Sequence, residues 1–198
     1  MSTTSARSEP RMTVGEFLAW RESLADDEAR YELVAGVPVR LMAPTTIRHA
    51  RIQRNASEAL RRAIASAGIP CEVFEAGPGV AIGQEGDECR IPDVVVTCSS
   101  VIDETMHLVP EPVIMVEVAS PSTGLADVND KVEFYAGIPS IHHHLVIEQD
   151  RRRVVFHRRG PTGALEPRII RAGEISLDPP GIRLAVETLY RETALAES

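Results

Sequence analysis

The chain has 198 residues, which suits one domain with a sizeable core and leaves little room for two full-sized domains. With 43% hydrophobic and 25% charged residues, its composition is that of a water-soluble globular protein, and no apolar run is long enough to cross a bilayer. The formal net charge of −8 excludes a uniformly basic surface, so an acidic nucleic-acid enzyme must confine its positive charge to one face or recruit cations.

The first residues are rich in Ser and Thr and lack the apolar block of a secretory signal. They predict a disordered lead-in over residues 1–11 of a cytoplasmic protein. A single domain is predicted over residues 12–190, followed by a frayed tail over residues 191–198.

The three cysteines, Cys71, Cys89 and Cys98, are odd in number and follow neither a CxxC nor a zinc-finger spacing. This pattern favours isolated thiols in a reducing compartment.

The first predicted helix opens at Thr13-Val14-Gly15-Glu16, which has the spacing of a capping box. Two strands, Tyr31 to Val34 and Pro38 to Met42, are predicted around a turn at Ala35-Gly36.

The longest helical pattern runs from Thr45 to Ala67, where apolar residues recur at helical spacing, and Gly68 suits the left-handed position after a helix. The other side of this helix is basic and carries Arg51, Arg54, Arg61 and Arg62. Its composition favours a solvated face over a phosphate-binding face.

The rest of the chain alternates short strands with one more helix, over roughly Asp127 to Ala136. The strands are predicted around Val73, around Val80, from Pro92 to Cys98, from Pro112 to Val118, from His144 to Ile147, from Arg153 to His157, and near Ile169, Ile182 and Leu184. Strands interleaved with helices of this length predict an α/β fold.

Two carboxylates interrupt apolar strands. Glu117 is the one charged residue in Val113 to Ala119, and Asp93 opens the apolar run Val94 to Val96. A strand that is apolar at both alternating positions is covered on both faces, so an ionised carboxylate there needs a cation or hydrogen-bond donors. If the two strands are antiparallel neighbours, Asp93 and Glu117 meet at one end of the sheet, where a divalent cation such as Mg²⁺ resolves their repulsion. The alternative is that each acid pairs with an arginine, such as Arg90, or caps a loop.

Lys131 is the third candidate, on the helix that follows Glu117. It forms an i, i+4 pair with Asp127, which is compatible with an exposed ion pair. It is equally compatible with a cation that faces the carboxylates and stabilises charge on a phosphate under attack.

Glu32, inside a predicted strand, and His49, in the first turns of the long helix, are weaker candidates. The run His142-His143-His144 resembles a zinc site, but neighbouring strand residues point to opposite faces, so at most His142 and His144 share one. Because no acid or thiol ligand lies nearby in sequence, a surface feature is the favoured interpretation.

Together these residues resemble the bacterial Uma-two family of restriction-endonuclease-like proteins. The matching pieces run through nearly the whole chain in the family's order: Met12 to Trp20, Tyr31 to Val34 with Gly36, Met42 to Thr45 with His49, Arg90 to Val94, Val116 to Thr123, and Asp127 with Lys131, Tyr135 and Gly137.

The resemblance extends to the PD-(D/E)XK nuclease superfamily, and it implies a central mixed β-sheet flanked by helices and a Mg²⁺ or Mn²⁺ cofactor. It implies that Asp93 and Glu117 bind the metal and act in catalysis, with Glu32 assisting on the metal side and His49 contacting substrate or supporting the site. The superfamily's Lys lies two residues after the Glu; here Ala119 stands at that position, and Lys131 resembles a migrated Lys.

The implied activity is metal-dependent endonucleolytic hydrolysis of phosphodiester bonds in DNA by a homodimer. The alternative is a catalytically inactive nuclease-like fold that serves as a nucleic-acid or protein interaction module.

Overall fold

The computed structural model of the chain describes residues 11–24, 29–41, 46–75, 77–119 and 125–196, except for the side chains of residues 125–128. The predicted lead-in therefore lies outside the described residues, Arg11 excepted. The chain divides into two compact units, one formed by residues 1–42 and 81–90 and the other by residues 43–80 and 91–198. The single domain and the frayed tail stay predictions.

Within the described residues, the helices are α1 (Val14–Ser23), α2 (Ile47–Ala67), α3 (Leu125–Ala136) and α4 (Val186–Leu189). The strands are β1 (Tyr31–Val34), β2 (Val37–Arg40), β3 (Glu72–Glu75), β4 (Val80–Ala81), β5 (Cys89–Arg90), β6 (Val94–Thr97), β7 (Pro112–Ala119), β8 (His143–Glu148), β9 (Val154–Arg159), β10 (Leu165–Ile170), β11 (Glu174–Leu177) and β12 (Ile182–Ala185). None of these helices is long and apolar enough to span a membrane.

The first unit is built on the β1–β2 hairpin and α1. The predicted capping box is confirmed, since the Thr13 hydroxyl accepts from the Glu16 amide and the Glu16 carboxylate accepts from the Thr13 amide. The predicted turn is also confirmed: Ala35 and Gly36 both have positive φ, as a tight two-residue hairpin requires. Strand β5, which was not predicted, pairs with β1.

The second unit contains a six-stranded sheet in the order β10-β9-β8-β7-β6-β3. All neighbours in it are antiparallel except β7 and β8, which are parallel and joined through α3. The sheet is therefore mixed, as predicted. A parallel pair needs a crossover connection, and α3 provides it.

Helix α2 covers one face of this sheet. It begins after the N-cap Thr46 and ends at Gly68, whose φ of 65° is left-handed, so the predicted helix and its C-terminal glycine are confirmed. Ile52, Leu60 and Ile64 pack on the sheet's aliphatic side chains together with the β11–β12 hairpin and α4. Each such fully buried side chain contributes about 1.5–3 kcal/mol.

Helix α3 covers the opposite face, where Phe134 and Tyr135 pack against Val95 and Met115. The two helices together explain why β6 and β7 are apolar at both alternating positions.

The prediction of isolated thiols is wrong for two of the three cysteines. Cys71 precedes β3 and Cys98 follows β6, and the structure joins them in a disulfide; Cys89 is a free, buried thiol. The antiparallel register pairs Glu72 with Thr97, so the residues next in line lie directly opposite each other. Their 27-residue separation in sequence hides this proximity.

Candidate active site

The register of β6 and β7 brings Asp93 and Glu117 together. Val94 pairs with Val116, so the preceding Asp93 lies beside Glu117 at one end of the sheet, as the antiparallel arrangement predicted. The Asp93 carboxylate also accepts a hydrogen bond from the Val118 amide, at 2.7 Å from Oδ2. Asp93 and Glu117 are called the carboxylate pair below.

Lys131 and Tyr135 reach Glu117 from α3. Lys131 Nζ lies 3.0 Å from Glu117 Oε2, and the Tyr135 hydroxyl donates to Glu117 Oε1 at 2.8 Å. The two residues are four apart, one helical turn, and therefore share the face of α3 that meets β7. The amine of Lys131 thus faces the carboxylate pair, although its catalytic role stays a prediction. Asp127, its predicted i, i+4 partner, lies outside the described side chains.

Burial governs the electrostatics of Glu117. The side chain of Glu117 is only 14% exposed, and this desolvation raises its pKa to about 7. The negative charge of Asp93 raises the pKa further, whereas the charge of Lys131 and the hydroxyl of Tyr135 lower it. The neutral and ionised forms of Glu117 are therefore close in free energy near neutral pH, and an added cation favours the ionised form.

Helix α2 holds Asp93 from the other side. His49 donates through Nε2 to Asp93 Oδ1 at 3.1 Å, and the Gln53 amide donates to the Asp93 carbonyl at 3.0 Å. His49 and Gln53 are also one helical turn apart, so α2 presents both to the start of β6.

The residues of this site fit a divalent cation by charge and by ligand chemistry. With one lysine against two carboxylates, the ionised site carries one uncompensated negative charge, and carboxylate oxygens are the ligands that Mg²⁺ prefers. In the described part of the chain, no group of three or more His, Cys, Asp or Glu side chains is arranged to hold a metal. Mg²⁺ sites that act on phosphates use one or two protein carboxylates and complete their shell with water and substrate oxygens, so two are sufficient.

Among the predicted site residues, the structure brings together Asp93, Glu117, Lys131 and His49, all in the second unit. Glu32 belongs to the first unit, where its buried carboxylate lies 3.6 Å from Arg90 Nη1. Arg90 also pairs with Glu88.

The surface interpretation of the pair His142 and His144 is wrong for His144, whereas His142 is half-buried. His143 and His144 lie in β8 and are fully buried, because β8 is an interior strand of a sheet covered on both faces. The ring of His144 packs edge-on against Tyr135, with the centroids 4.9 Å apart. The rule that strand neighbours face opposite ways holds, but burial cannot be deduced from it.

Sequence reasoning missed two signals. Lys131 is the only lysine of the chain, since the other 20 of its 21 basic residues are arginines. Because arginine occupies every other basic position, the single lysine at position 131 indicates that this position needs a compact ammonium group. The second signal was helical spacing. Tyr135 lies one turn after Lys131 and also contacts Glu117, and Gln53 lies one turn after His49 and also contacts Asp93.

A mixed sheet with helices on both faces is typical of a restriction-endonuclease-like fold. The crystal structure of "a putative nuclease belonging to DUF820" from Anabaena variabilis has the same fold, with a TM-score of 0.68 and 17% identity over 90% of this chain and 97% of that one. The sequence matches the Uma2 family, described as "Putative restriction endonuclease", over residues 14–189. The chain belongs to this family.

An uncharacterized protein of Synechocystis sp. is 28% identical over 104 residues, which are 52% of this chain and 55% of that protein. The matched region thus spans about half the length of this curated relative. The family description "Putative restriction endonuclease" and the shared fold agree with each other.

Proposed function

We propose that the chain is a metal-dependent endonuclease that hydrolyses phosphodiester bonds in DNA. The observation that carries this proposal is the cluster of Asp93, Glu117 and Lys131, in which two half-buried acids at the adjacent ends of neighbouring strands meet the chain's only lysine. Two adjacent acids with little exposure cost stability, so their presence favours a role in binding a cation.

Asp93 and Glu117 are the residues that would hold Mg²⁺ or Mn²⁺. The bound ion supplies a water of lowered pKa and neutralises charge on the phosphate. His49 and the Val118 amide orient Asp93, and Tyr135 orients Glu117. Lys131, which contacts Glu117 Oε2, would donate to a phosphoryl oxygen, where negative charge grows during attack. The assisting role that the family resemblance implies for Glu32 stays a prediction.

A second candidate is a nuclease-like module without catalysis. It is favoured by the fact that both oxygens of each carboxylate already have partners in the protein: His49 and the Val118 amide for Asp93, Lys131 and Tyr135 for Glu117. Such a closed network can be structural.

The homodimer implied by the family resemblance also stays a prediction, which light scattering checks.

Glu117→Gln separates the two candidates, with Glu133→Gln, an exposed acid of α3, as the matched control. We expect Mg²⁺- or Mn²⁺-dependent cleavage of duplex DNA to fall by orders of magnitude in Glu117→Gln and to persist in Glu133→Gln. Calorimetry should show the divalent ion binding to wild type and control only. If wild type binds neither ion at millimolar concentration, even with DNA present, the module is correct.

Glu117→Gln should also change the pH dependence of stability in the metal-free protein. Because the pKa of Glu117 is raised to about 7, its ionisation opposes folding above pH 7 and has no such cost below the unfolded pKa near 4.5. Glu117→Gln should therefore be more stable than wild type at pH 8, by up to about 3 kcal/mol, and equal to it near pH 4. Urea denaturation at the two pH values measures the difference.

A further inference from the structure

One guanidinium, that of Arg159 at the end of β9, ties the C-terminal end of α3 to the sheet. It donates to five backbone carbonyls, which are those of Tyr135, Ala136, Ile138, Ile141 and Gly163. These acceptors belong to the last turn of α3, to the connection between α3 and β8, and to the turn between β9 and β10. The planar fork of an arginine offers five N–H donors, so a single side chain can join all three segments.

The end of α3 needs such a partner. The last four carbonyls of a helix have no partner within the helix. In α3, three of them accept from the amides of Gly137 and Ile138, and the fourth, that of Ala136, accepts from both Nη atoms of Arg159 at 3.1 Å. The last turn of α3 contains no basic residue, so Arg159 also supplies the positive charge that the helix dipole favours at a C-terminus.

This anchor and the carboxylate pair lie at different points along α3. Because α3 connects β7 to its parallel neighbour β8, it runs back along the sheet and ends near the start of β8, where Arg159 holds it. Glu117 lies farther along the sheet, near the end of β7. Helical side chains lean toward the N-terminus of their helix, so Lys131 and Tyr135 reach from α3 toward Glu117.

Directional contacts decide where α3 stands along its own axis. Phe134 and Tyr135 pack on the sheet through apolar surface, which holds the helix against the sheet but has no preferred direction. The hydrogen bonds of Arg159 do have one, since N–H···O distances fall within about 2.7–3.2 Å. Tyr135 is contacted at both ends: its carbonyl lies 3.5 Å from Arg159 Nη2, and its hydroxyl donates to Glu117.

We infer that Arg159 is a positioning residue, which fixes α3 along the sheet and so places Lys131 and Tyr135 on Glu117. It acts through the backbone of α3. A shift of the helix by about 1 Å would take the Lys131 ammonium out of hydrogen-bond range of Glu117 Oε2, which lies 3.0 Å away. The effect on cleavage rests on the proposed nuclease function, whereas the position of Lys131 can be measured without cleavage.

Arg159→Met tests the placement of Lys131, and Arg158→Met, at the exposed neighbour on the same strand, is the matched control. Methionine keeps an apolar stem and removes the donors. Labelling with ¹³C-lysine gives one side-chain Cε signal, because Lys131 is the chain's only lysine. In the metal-free protein, we expect Arg159→Met to move this signal toward its position in Glu117→Gln, where the ammonium has lost its charged partner. Arg158→Met should leave the signal at its wild-type position.

Cleavage of duplex DNA in Mg²⁺ tests the consequence for the reaction. We expect kcat to fall about 10- to 100-fold in Arg159→Met while KM changes less than about 2-fold, because the displaced groups act at the reacting phosphate. In a Lys131→Met background the same substitution should lower kcat less than about 3-fold, since the group to be placed is already absent. A merely structural defect would lower kcat by the same factor in both backgrounds, and that result would overturn the inference.

Thermal melting verifies that each variant is folded. Should Arg159→Met fail to fold, Arg159→Gln, which keeps two N–H donors, should show smaller changes in the same direction. A folded Arg159 variant with an unmoved Lys131 signal and unchanged kcat would overturn the inference and leave the nuclease function standing. A moved signal together with a wild type that cleaves no DNA would support the placement of Lys131 by Arg159 and overturn the nuclease function.

Discussion

The two faces of the six-stranded sheet carry different kinds of side chain. The α2 face is aliphatic almost throughout, with Leu60, Val116 and Leu145 at its centre. The α3 face carries Glu117 and His144 among its apolar residues. Since side chains alternate along a strand, β7 places Val116 and Glu117 on opposite faces of one sheet. One face therefore supplies most of the stability, while the other tolerates the costly polar groups that chemistry needs.

The contrast extends to neighbouring histidines of β8. His143, on the α2 face, donates through Nε2 to the Pro179 carbonyl at 2.9 Å and stacks on Phe156. His144, on the α3 face, is fully buried, and neither of its ring nitrogens has a hydrogen-bond partner in the described part of the chain. Within the described residues, His143 on the α2 face thus has a partner for one of its two ring nitrogens, whereas His144 on the α3 face has a partner for neither.

The largest expected effect is on the α3 face and concerns activity. Lys131→Met keeps the length of the side chain and removes its charge, so we expect DNA cleavage to fall by about 10²- to 10³-fold. The fold should be retained, because the methionine stays against the same apolar neighbours. Cleavage assays on the folded variant, verified by circular dichroism, measure the loss.

The single lysine allows a sharper check of the same position. Reductive methylation with ¹³C-formaldehyde labels Lys131 and the terminal amine alone, so the chemical shift of one side-chain signal reports its environment. Addition of Mg²⁺ should shift that signal in wild type and leave it unmoved in Glu117→Gln. Full cleavage by Lys131→Met would contradict the catalytic role of the lysine.

The next effect is on the α2 face and concerns stability. Leu60 is fully buried in the aliphatic cluster, so Leu60→Ala should lower the free energy of unfolding by about 2–5 kcal/mol. Cleavage per folded molecule should be unchanged, because the substitution leaves the contacts of Glu117 intact. Urea denaturation gives the first quantity and an assay at low temperature gives the second. A large loss of activity in the folded variant would mean that the two faces are not independent.

The smallest effect concerns pH. Burial lowers the pKa of His143 to about 4 from its ordinary value of 6.5, so the folded state keeps this ring neutral after the unfolded chain has bound a proton. Above pH 6.5 the ring is neutral in both states and does not lower the free energy of unfolding. As the pH falls toward 4, protonation of the unfolded chain lowers that free energy by on the order of 2–3 kcal/mol. His143→Gln keeps a donor for the Pro179 carbonyl and should remove this part of the acid sensitivity.

Unfolding free energies at pH 7.5 and pH 4.5 test this expectation. Burial also lowers the pKa of His144, to well below 6.5, so this ring too makes the protein less stable in acid. The His143→Gln variant should therefore keep some acid sensitivity. An identical loss in wild type and variant would show that His143 does not contribute.

The sequence was most informative where chemistry conflicted with its surroundings. Asp93 and Glu117 stood out because an acid in an apolar strand needs compensation, and the antiparallel pairing that the prediction assumed is the one observed. The α2 boundaries followed from the N-cap and Gly68, which act locally. These features depend on neighbours in sequence or on a single strand pairing.

Other features depend on which distant segments pack together. The Cys71–Cys98 disulfide and the burial of β8 are set by the positions of strands in the sheet, which no local pattern specifies. The contact of His49 with Asp93 joins residues 44 positions apart. Strand β5 was missed because its two residues are defined by pairing with the distant strand β1.

The parallel pairing of β7 with β8 ties the onset of the proposed chemistry to the completion of folding. Glu117 lies on β7 and Lys131 on α3, the helix that connects β7 to the parallel strand β8. During synthesis, a chain that ends before α3 therefore has both acids but lacks the lysine that faces them. On the proposed function, such a nascent chain does not yet hold the complete site, which forms only when α3 has been made and has packed on β7.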